Sequence, residues 1–138
     1  MDVREFLESQ GKDNESIKKA KQNVLDNAIS VNQDISLFKE PSEQVLNYLG
    51  RSIVELCNVF GCTIDKGDIS IPEHYNGNKD VIQYLQEDVF SKEQFLGSMV
   101  FNIVKYTTRL GRKDDNYKEL LKVFTYYTRL REGLSLYE

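Results

Sequence analysis

The spacing of apolar residues along the chain predicts a series of amphipathic helices. A helical period of three- and four-residue steps begins after Asn14, whose side chain can accept a hydrogen bond from a free amide at the helix start. The apolar positions of this helix are Ile17, Ala20, Val24, Ala28, Val31 and Ile35. The residues before it, Met1–Lys12, lack such a period, and we expect them to fray.

A second and more apolar helix is predicted between Pro41 and Gly61. Proline suits the first turn of a helix, where no amide partner is lost, and glycine can adopt the left-handed conformation that ends one. Because Val45, Leu49, Ile53, Leu56 and Phe60 recur along it, we expect this helix to lie in the core or in a subunit interface.

The helical period of apolar residues ends after this helix and resumes further along the chain. Residues 63–78 have no sustained period, which predicts a long loop, and Asn78 can cap a short helix after it. Ser91 and Gln94 form a capping box that opens a fourth helix. Gly111 is expected to close that helix, and a last helix starts at residue 115 or 116 and ends near Gly133.

The predicted fold is therefore all-α: a single domain over residues 1–138 with about five helices packed around a long central loop. The chain has 40% apolar and 29% charged residues, as folded proteins do, and no apolar run approaches the length of a membrane span. The charged N-terminus does not resemble a signal peptide, so we expect a cytoplasmic protein with no membrane partner. A net charge of −4 disfavours nucleic acid as a partner.

The cysteines do not predict a metal site. Cys57 and Cys62 are spaced C-x4-C, and the single histidine, His74, lies well downstream. These ligands are too few for structural zinc, so we expect two reduced thiols packed in or near the core.

The fourth helix carries the residues with the clearest chemistry. At about 100° per residue, its polar side chains fall within an arc of roughly 100°, opposite an aliphatic stripe. They are Asn102, Lys105, Tyr106, Arg109 and Lys113. No acidic residue lies between Asn102 and Lys113 to pair with these cations. Two interpretations stay open: a solvated basic face, and a site for phosphate, which arginine and lysine both bind well.

Upstream of this helix, Pro72-x-His74-Tyr75-x-Gly77 forms a second group of interest. Such a stretch is most often a simple turn. A histidine can also bond a phosphate or a base edge, and a tyrosine ring can stack on a base.

Taken together, these segments resemble a small bacteriophage family labelled nucleotide kinase, whose coliphage member phosphorylates dGMP and dTMP. The resemblance covers residues 72–131 and rests on the histidine–tyrosine pair, on Asn-x-x-Lys-Tyr-x-x-Arg, and on the tail Leu120-Leu121-Lys122-x-x-x-Tyr126-Tyr127-x-x-Leu130. It implies a ligand site formed by His74, Tyr75, Asn102, Lys105, Tyr106 and Arg109, in the cytosol of a phage's host. Phe101 departs from the family, which has glycine there, and is expected to narrow or reorient the site. Within the single domain, residues 1–62 are expected to form an N-terminal helical part outside the resemblance.

The resemblance does not supply a mechanism, and the catalytic residues are unknown. No G-x-x-x-x-G-K-[ST] loop is present, so a nucleoside monophosphate kinase using ATP and Mg²⁺ would have to stabilise the transferred phosphoryl group with its lysines and arginines. Carboxylates for magnesium are available at Asp80, Asp114 and Asp115, and no spacing singles them out. The alternatives are a non-catalytic protein that sequesters a nucleotide and a host-interaction protein or homo-oligomer.

Overall fold

Four long helices supply the core of the protein. A computed structural model of the chain describes residues 1–11, 13–69, 80–112 and 115–136. The long helices are α2 (Glu15–Ser36), α3 (Glu43–Val59), α5 (Lys92–Arg109) and α6 (Asn116–Leu136); the short ones are α1 (Val3–Gln10) and α4 (Val81–Tyr84). A 3₁₀ turn spans Lys66–Asp68, and a π turn at Leu85–Val89 continues α4.

The long helices close into a ring. Helix α2 packs against α3 on one side and α5 on the other, α5 packs most extensively against α6, and α6 returns to α3. Their buried faces share one hydrophobic cluster, in which Val24, Leu49, Ile103 and Leu130 have no exposed surface. This is the arrangement of a four-helix bundle, in which the apolar stripe of each helix is removed from water by two neighbours.

The all-α prediction is confirmed for the described residues, which contain no strand. They hold six α-helices where about five were predicted, and the additional one is α1. The expectation that residues 1–12 fray was wrong: Asp2 caps α1 by accepting the Glu5 amide at 2.8 Å, and Leu7 is buried against the bundle. The predicted loop is described only as far as Ile69, and its place at the centre of the helices stays a prediction.

Several predicted helix boundaries are confirmed by their caps. Asn14 accepts the Ile17 amide at 2.9 Å, and Ser91 and Gln94 form the expected reciprocal capping box at the start of α5. Gly61 and Gly111 follow α3 and α5 with φ angles of +66° and +83°. Both glycines therefore occupy the left-handed region in which a side chain would be strained.

Two helices begin later than predicted. Pro41 precedes α3 rather than opening it, because Ser42 is the N-cap and accepts the Val45 amide at 3.1 Å. The short helix α4 is capped by Asp80 in a capping box with Gln83. Asn78, the predicted cap, lies outside the described residues.

Gly133 does not end the last helix. Helix α6 continues through Gly133 to Leu136, and this glycine is buried against α5. A Cβ atom at this position would lie 2.9 Å from Cε1 of Phe95 and 3.2 Å from Cδ2 of Leu96. The glycine therefore permits close approach of the two helices, a use that local sequence does not distinguish from a helix stop.

A buried lysine fixes the end of α5. The ammonium group of Lys21 on α2 donates to the carbonyl oxygens of Thr108 and Leu110 at 3.1 and 2.7 Å and pairs with Asp13 at 2.7 Å. Burial lowers the pKa of Lys21, and Asp13 only partly opposes that effect. The cation satisfies carbonyl groups that a helix end leaves free and complements the negative end of the α5 dipole.

Among the described residues, none of the helices combines the length and apolar character needed to cross a bilayer.

Candidate functional site on helices α5 and α6

The polar face predicted on the fourth helix lies along the seam between α5 and α6. Tyr106 and Arg109 are partly buried there, while Lys105 is exposed at its outer edge. The core-facing stripe of α5, which includes Met99 and Ile103, is buried as predicted. Burial of the aliphatic side therefore sets the orientation of α5, and in this orientation its cationic side lies next to α6.

Two tyrosines face each other across this seam. The rings of Tyr106 on α5 and Tyr126 on α6 are stacked, with their centroids 5.7 Å apart and 8° between their planes. Burial, followed by the proximity of Tyr106, raises the pKa of Tyr126 above its ordinary value, and the nearby Arg129 opposes this only in part. Both rings are partly exposed, so they form an aromatic surface that a ligand can reach.

Three cationic side chains surround the Tyr106 ring. The distances to the ring centroid are 5.3 Å from Nζ of Lys105, 5.4 Å from Cζ of Arg109 and 5.0 Å from Nζ of Lys122. Each lies within the range of a cation–π contact. Stacking on Tyr126 orients the Tyr106 ring, and cations from both helices lie close to that ring.

One buried carboxylate balances part of this charge. Glu119 on α6 is only 5% exposed, and its Oε1 lies 3.6 Å from Nη2 of Arg109 and 3.9 Å from Nζ of Lys122. Its other oxygen, Oε2, is buried and has no hydrogen-bond partner among the described residues. The carboxylate that is absent between Asn102 and Lys113 is thus supplied by the neighbouring helix.

We refer to these six residues as the α5–α6 cluster: Lys105, Tyr106, Arg109, Glu119, Lys122 and Tyr126. Three cations and one carboxylate give it a net charge of +2 within a chain whose net charge is −4. An aromatic surface edged by excess positive charge can stack a planar ring and attract a phosphate at the same time.

Asn102 and Phe101 lie on α5 ahead of the cluster, and their roles at the site stay predictions. The amide nitrogen of Asn102 donates to the carbonyl oxygen of Ser98, one turn back, at 2.9 Å. Phe101 is 63% exposed, and it sits about 100° around the helix from Asn102. Its ring therefore lies on the outer surface of α5, one turn before Lys105.

Two described residues, Asp68 and Asp80, are hydrogen-bonded to α6. The Tyr117 hydroxyl donates to Asp68 at 2.6 Å, and this hydrogen bond raises the pKa of Tyr117. Both Nη atoms of Arg129 donate to the carboxylate of Asp80. Asp68 and Asp80 are thus both held against the helix that carries Lys122 and Tyr126.

Two of the three proposed magnesium carboxylates can be examined. Asp80 is occupied by Arg129 and by the Gln83 amide at 2.8 Å, and Asp115 accepts the Lys118 amide at 3.1 Å at the start of α6. Both therefore act as helix caps. Asp114 lies outside the described residues, as do the predicted site residues His74, Tyr75 and Lys113.

Sequence reasoning missed three members of the cluster, all on α6. Glu119, Lys122 and Tyr126 lie at positions i, i+3 and i+7, so they share one face of that helix. That spacing was readable from the sequence. Whether this side of α6 faces Tyr106 depends on how the two helices pack, and the spacing within α6 does not show that.

Comparison with known proteins adds a family without an assigned activity. Residues 69–128 match the model of a protein family of unknown function, DUF3310. The match covers α4, α5 and α6 as far as residue 128, and so includes the whole α5–α6 cluster, but it covers less than half of the chain. No curated protein and no solved structure matches the chain.

Proposed function

We propose that this chain is a phage-type nucleotide-binding protein and that the α5–α6 cluster is its site for a phosphorylated nucleoside. The observation that carries the proposal is the stacked Tyr106–Tyr126 pair with three cations within 5.4 Å of one of its rings. A base has a flat π face that stacks on tyrosine, and its phosphate is an anion that lysine and arginine bind through charge-assisted hydrogen bonds.

The electrostatic balance of the cluster favours an anionic ligand. Glu119 sits on the inner side and holds Arg109 and Lys122 near Tyr106, while Lys105 is exposed and has no ion pair with another described residue. A bound phosphate would neutralise the remaining positive charge without displacing the buried carboxylate. His74, Tyr75 and Lys113 belong to the proposed site as predictions from the sequence.

Phosphoryl transfer to a deoxynucleoside monophosphate, with ATP and Mg²⁺ as co-substrate, is the activity that the sequence resemblance favours. The cationic residues of the cluster are suited to stabilise charge on a transferred phosphoryl group. Sequestration of a nucleotide without turnover uses the same contacts and is the second candidate. Both place the protein in the host cytosol, and assembly into a homo-oligomer remains part of the proposal.

Calorimetry with a nucleotide panel tests the binding step. The panel comprises the four deoxynucleoside monophosphates, their diphosphates, ATP, inorganic phosphate and the free nucleosides, each with Mg²⁺. We expect at least one nucleotide to bind far more tightly than its nucleoside, with an affinity that falls as salt is raised. Formation of diphosphate from ATP and dTMP or dGMP identifies a kinase, and binding without turnover identifies a sequestering protein. If no nucleotide binds, the proposal is wrong.

Single substitutions place the ligand on the cluster. Lys105→Ala and Arg109→Ala should each weaken nucleotide binding about tenfold or more, because each removes a charge-assisted contact. Lys39→Ala, at an exposed lysine near the N-terminal end of α5 and away from the cluster, is the matched control and should leave affinity unchanged. We expect Lys105→Ala to change stability by less than about 0.5 kcal/mol. Arg109→Ala should cost more, because it leaves Glu119 with Lys122 alone.

Removal of the one carboxylate in the α5–α6 cluster should strengthen anion binding, the opposite of the effect expected for the cations. Glu119→Gln raises the charge of the cluster by one unit and should tighten binding of inorganic phosphate several-fold at low salt. Equal affinity for phosphate in the wild type and in Glu119→Gln would mean that the anion binds elsewhere.

A further inference from the structure

A groove on the other side of α6 is separate from the proposed nucleotide site. It has a volume of about 560 Å³ and lies between α3, the segment around the 3₁₀ turn and α6. On the α6 wheel, the groove residues Phe124 and Thr128 point about 160° away from Tyr126. A ligand in this groove therefore does not compete for the α5–α6 cluster.

The walls of the groove are mostly apolar. Val54 of α3, Ile64 and Ile69 of the connecting segment, and Phe124 and Tyr127 of α6 contribute the apolar surface. The Tyr127 hydroxyl donates to the Leu46 carbonyl at 2.9 Å, which leaves the ring to line the groove. Small-molecule sites in proteins have volumes of about 300–1,000 Å³ and are lined in the same way.

The charge at the rim is of one sign. Lys66 is the charged residue among the described residues that line the groove, and it makes no hydrogen bond or ion pair with another described residue. Its acidic neighbours do not line the groove and bond other groups: Asp65 accepts the Gly67 amide at 2.9 Å, and Asp68 accepts the Tyr117 hydroxyl. An apolar cavity with a free ammonium group at its edge complements a molecule with an apolar body and one anionic end.

We infer that this groove binds a small amphipathic carboxylate, with its alkyl or aryl part between α3 and α6 and its carboxylate at Lys66. Thr63, which also lines the groove, offers a hydroxyl donor to the same end of the ligand. The apolar contact supplies affinity, and the single cation selects an acid over an amine.

Calorimetry with decanoate and decylamine, both kept below their micelle concentrations, tests this inference. The wild type should bind decanoate at least tenfold more tightly than decylamine, and Lys66→Glu should reverse that preference. Lys39→Glu makes the same charge change away from the groove and should leave the preference intact. Absence of decanoate binding, equal affinity for the two ligands, or no response to Lys66→Glu would each overturn the inference.

The thiols of the groove give a second readout. Cys62 is partly exposed, whereas Cys57 is 4% exposed, and burial raises the pKa of Cys57 to about 11. A thiol reagent should therefore modify Cys62 first, and saturating decanoate should slow that reaction about fivefold or more, since both cysteines line the groove. Unchanged labelling would place the decanoate elsewhere.

Self-association through the groove is the competing outcome. Val54 is 49% exposed, so Val54→Glu places a charge on the rim with little effect on the core. If light scattering shows a dimer that Val54→Glu dissociates, and decanoate does not bind, the groove is a subunit interface and the carboxylate inference is wrong. Loss of nucleotide binding in the same protein would not bear on this result, because the two sites lie on different sides of α6.

Discussion

Tyr106 on α5 and Tyr126 on α6 stack with their ring centroids 5.7 Å apart and their planes 8° from parallel. Each ring comes from a different helix, so the aromatic surface exists only when α5 and α6 are packed together. The cations around Tyr106 also come from both helices. The candidate site therefore requires both helices, and substitutions of its residues should affect ligand binding in different ways.

Removal of the Tyr106 ring should weaken nucleotide binding strongly. Aromatic stacking on a base contributes about 1–3 kcal/mol, so Tyr106→Ala should raise Kd by roughly five- to 150-fold, whereas Tyr106→Phe keeps the ring and should stay within about threefold. Calorimetry measures both, and Tyr48→Ala, an exposed tyrosine on α3, is the control. Equal losses in Tyr106→Phe and Tyr106→Ala would assign the effect to the hydroxyl and contradict stacking.

Loss of the buried ammonium at the end of α5 should destabilise the fold. Lys21→Met leaves the Asp13 carboxylate without its closest cation and two carbonyl groups without a donor, so we expect a loss of about 3–5 kcal/mol in the free energy of unfolding. Urea denaturation measures it, with exposed Lys19→Met as the control at under about 0.5 kcal/mol. Adding Asp13→Asn should recover part of the loss, because it removes the unpaired charge. A double variant as unstable as the sum of the two would contradict this coupling.

The Asp80–Arg129 pair should make stability depend on pH in the acid range. Burial acts to raise the pKa of Asp80, but the Gln83 amide and Arg129 outweigh it and hold the pKa below its ordinary value. A carboxyl group with a depressed folded pKa contributes stability above its unfolded pKa of about 3.9, and that contribution is lost as the pH falls through the folded pKa.

The matched measurement is urea unfolding of the wild type and Asp80→Asn between pH 7 and pH 3. The wild type should be more stable at pH 7, and the difference should shrink as the pH falls. Asp26→Asn, at an exposed position on α2, should show no such trend. A difference that stays constant with pH would show that the carboxylate charge of Asp80 does not contribute.

Two glycines on neighbouring helices should respond in opposite directions to alanine. Gly133→Ala places a methyl group 2.9 Å from Phe95, and such overpacking costs about 1–3 kcal/mol. In Gly97→Ala the new methyl group meets no atom within 4 Å, so the gain of up to about 1 kcal/mol in helix propensity should appear in full. Thermal melts compare the two. Stabilisation by Gly133→Ala would mean that α5 and α6 are not in close contact there.

Local signals in the sequence were sufficient for most of the fold. Side-chain caps at Asn14 and Ser91 and left-handed glycines at 61 and 111 act within one helical turn, so their residue types predict where helices begin and end. The errors came from tertiary contacts. Helix α1 is stabilised by burial of Leu7 rather than by a long apolar period, and Gly133 serves helix packing rather than termination.

For the candidate site, the sequence by itself determined one half: a helix whose period places Lys105, Tyr106 and Arg109 on a side free of acidic residues. Only the tertiary structure decided what faces that side, namely Glu119, Lys122 and Tyr126 of α6. The physical reason is that a helical period fixes directions within one helix, whereas the pairing of two faces depends on how both helices bury their apolar stripes in the same core.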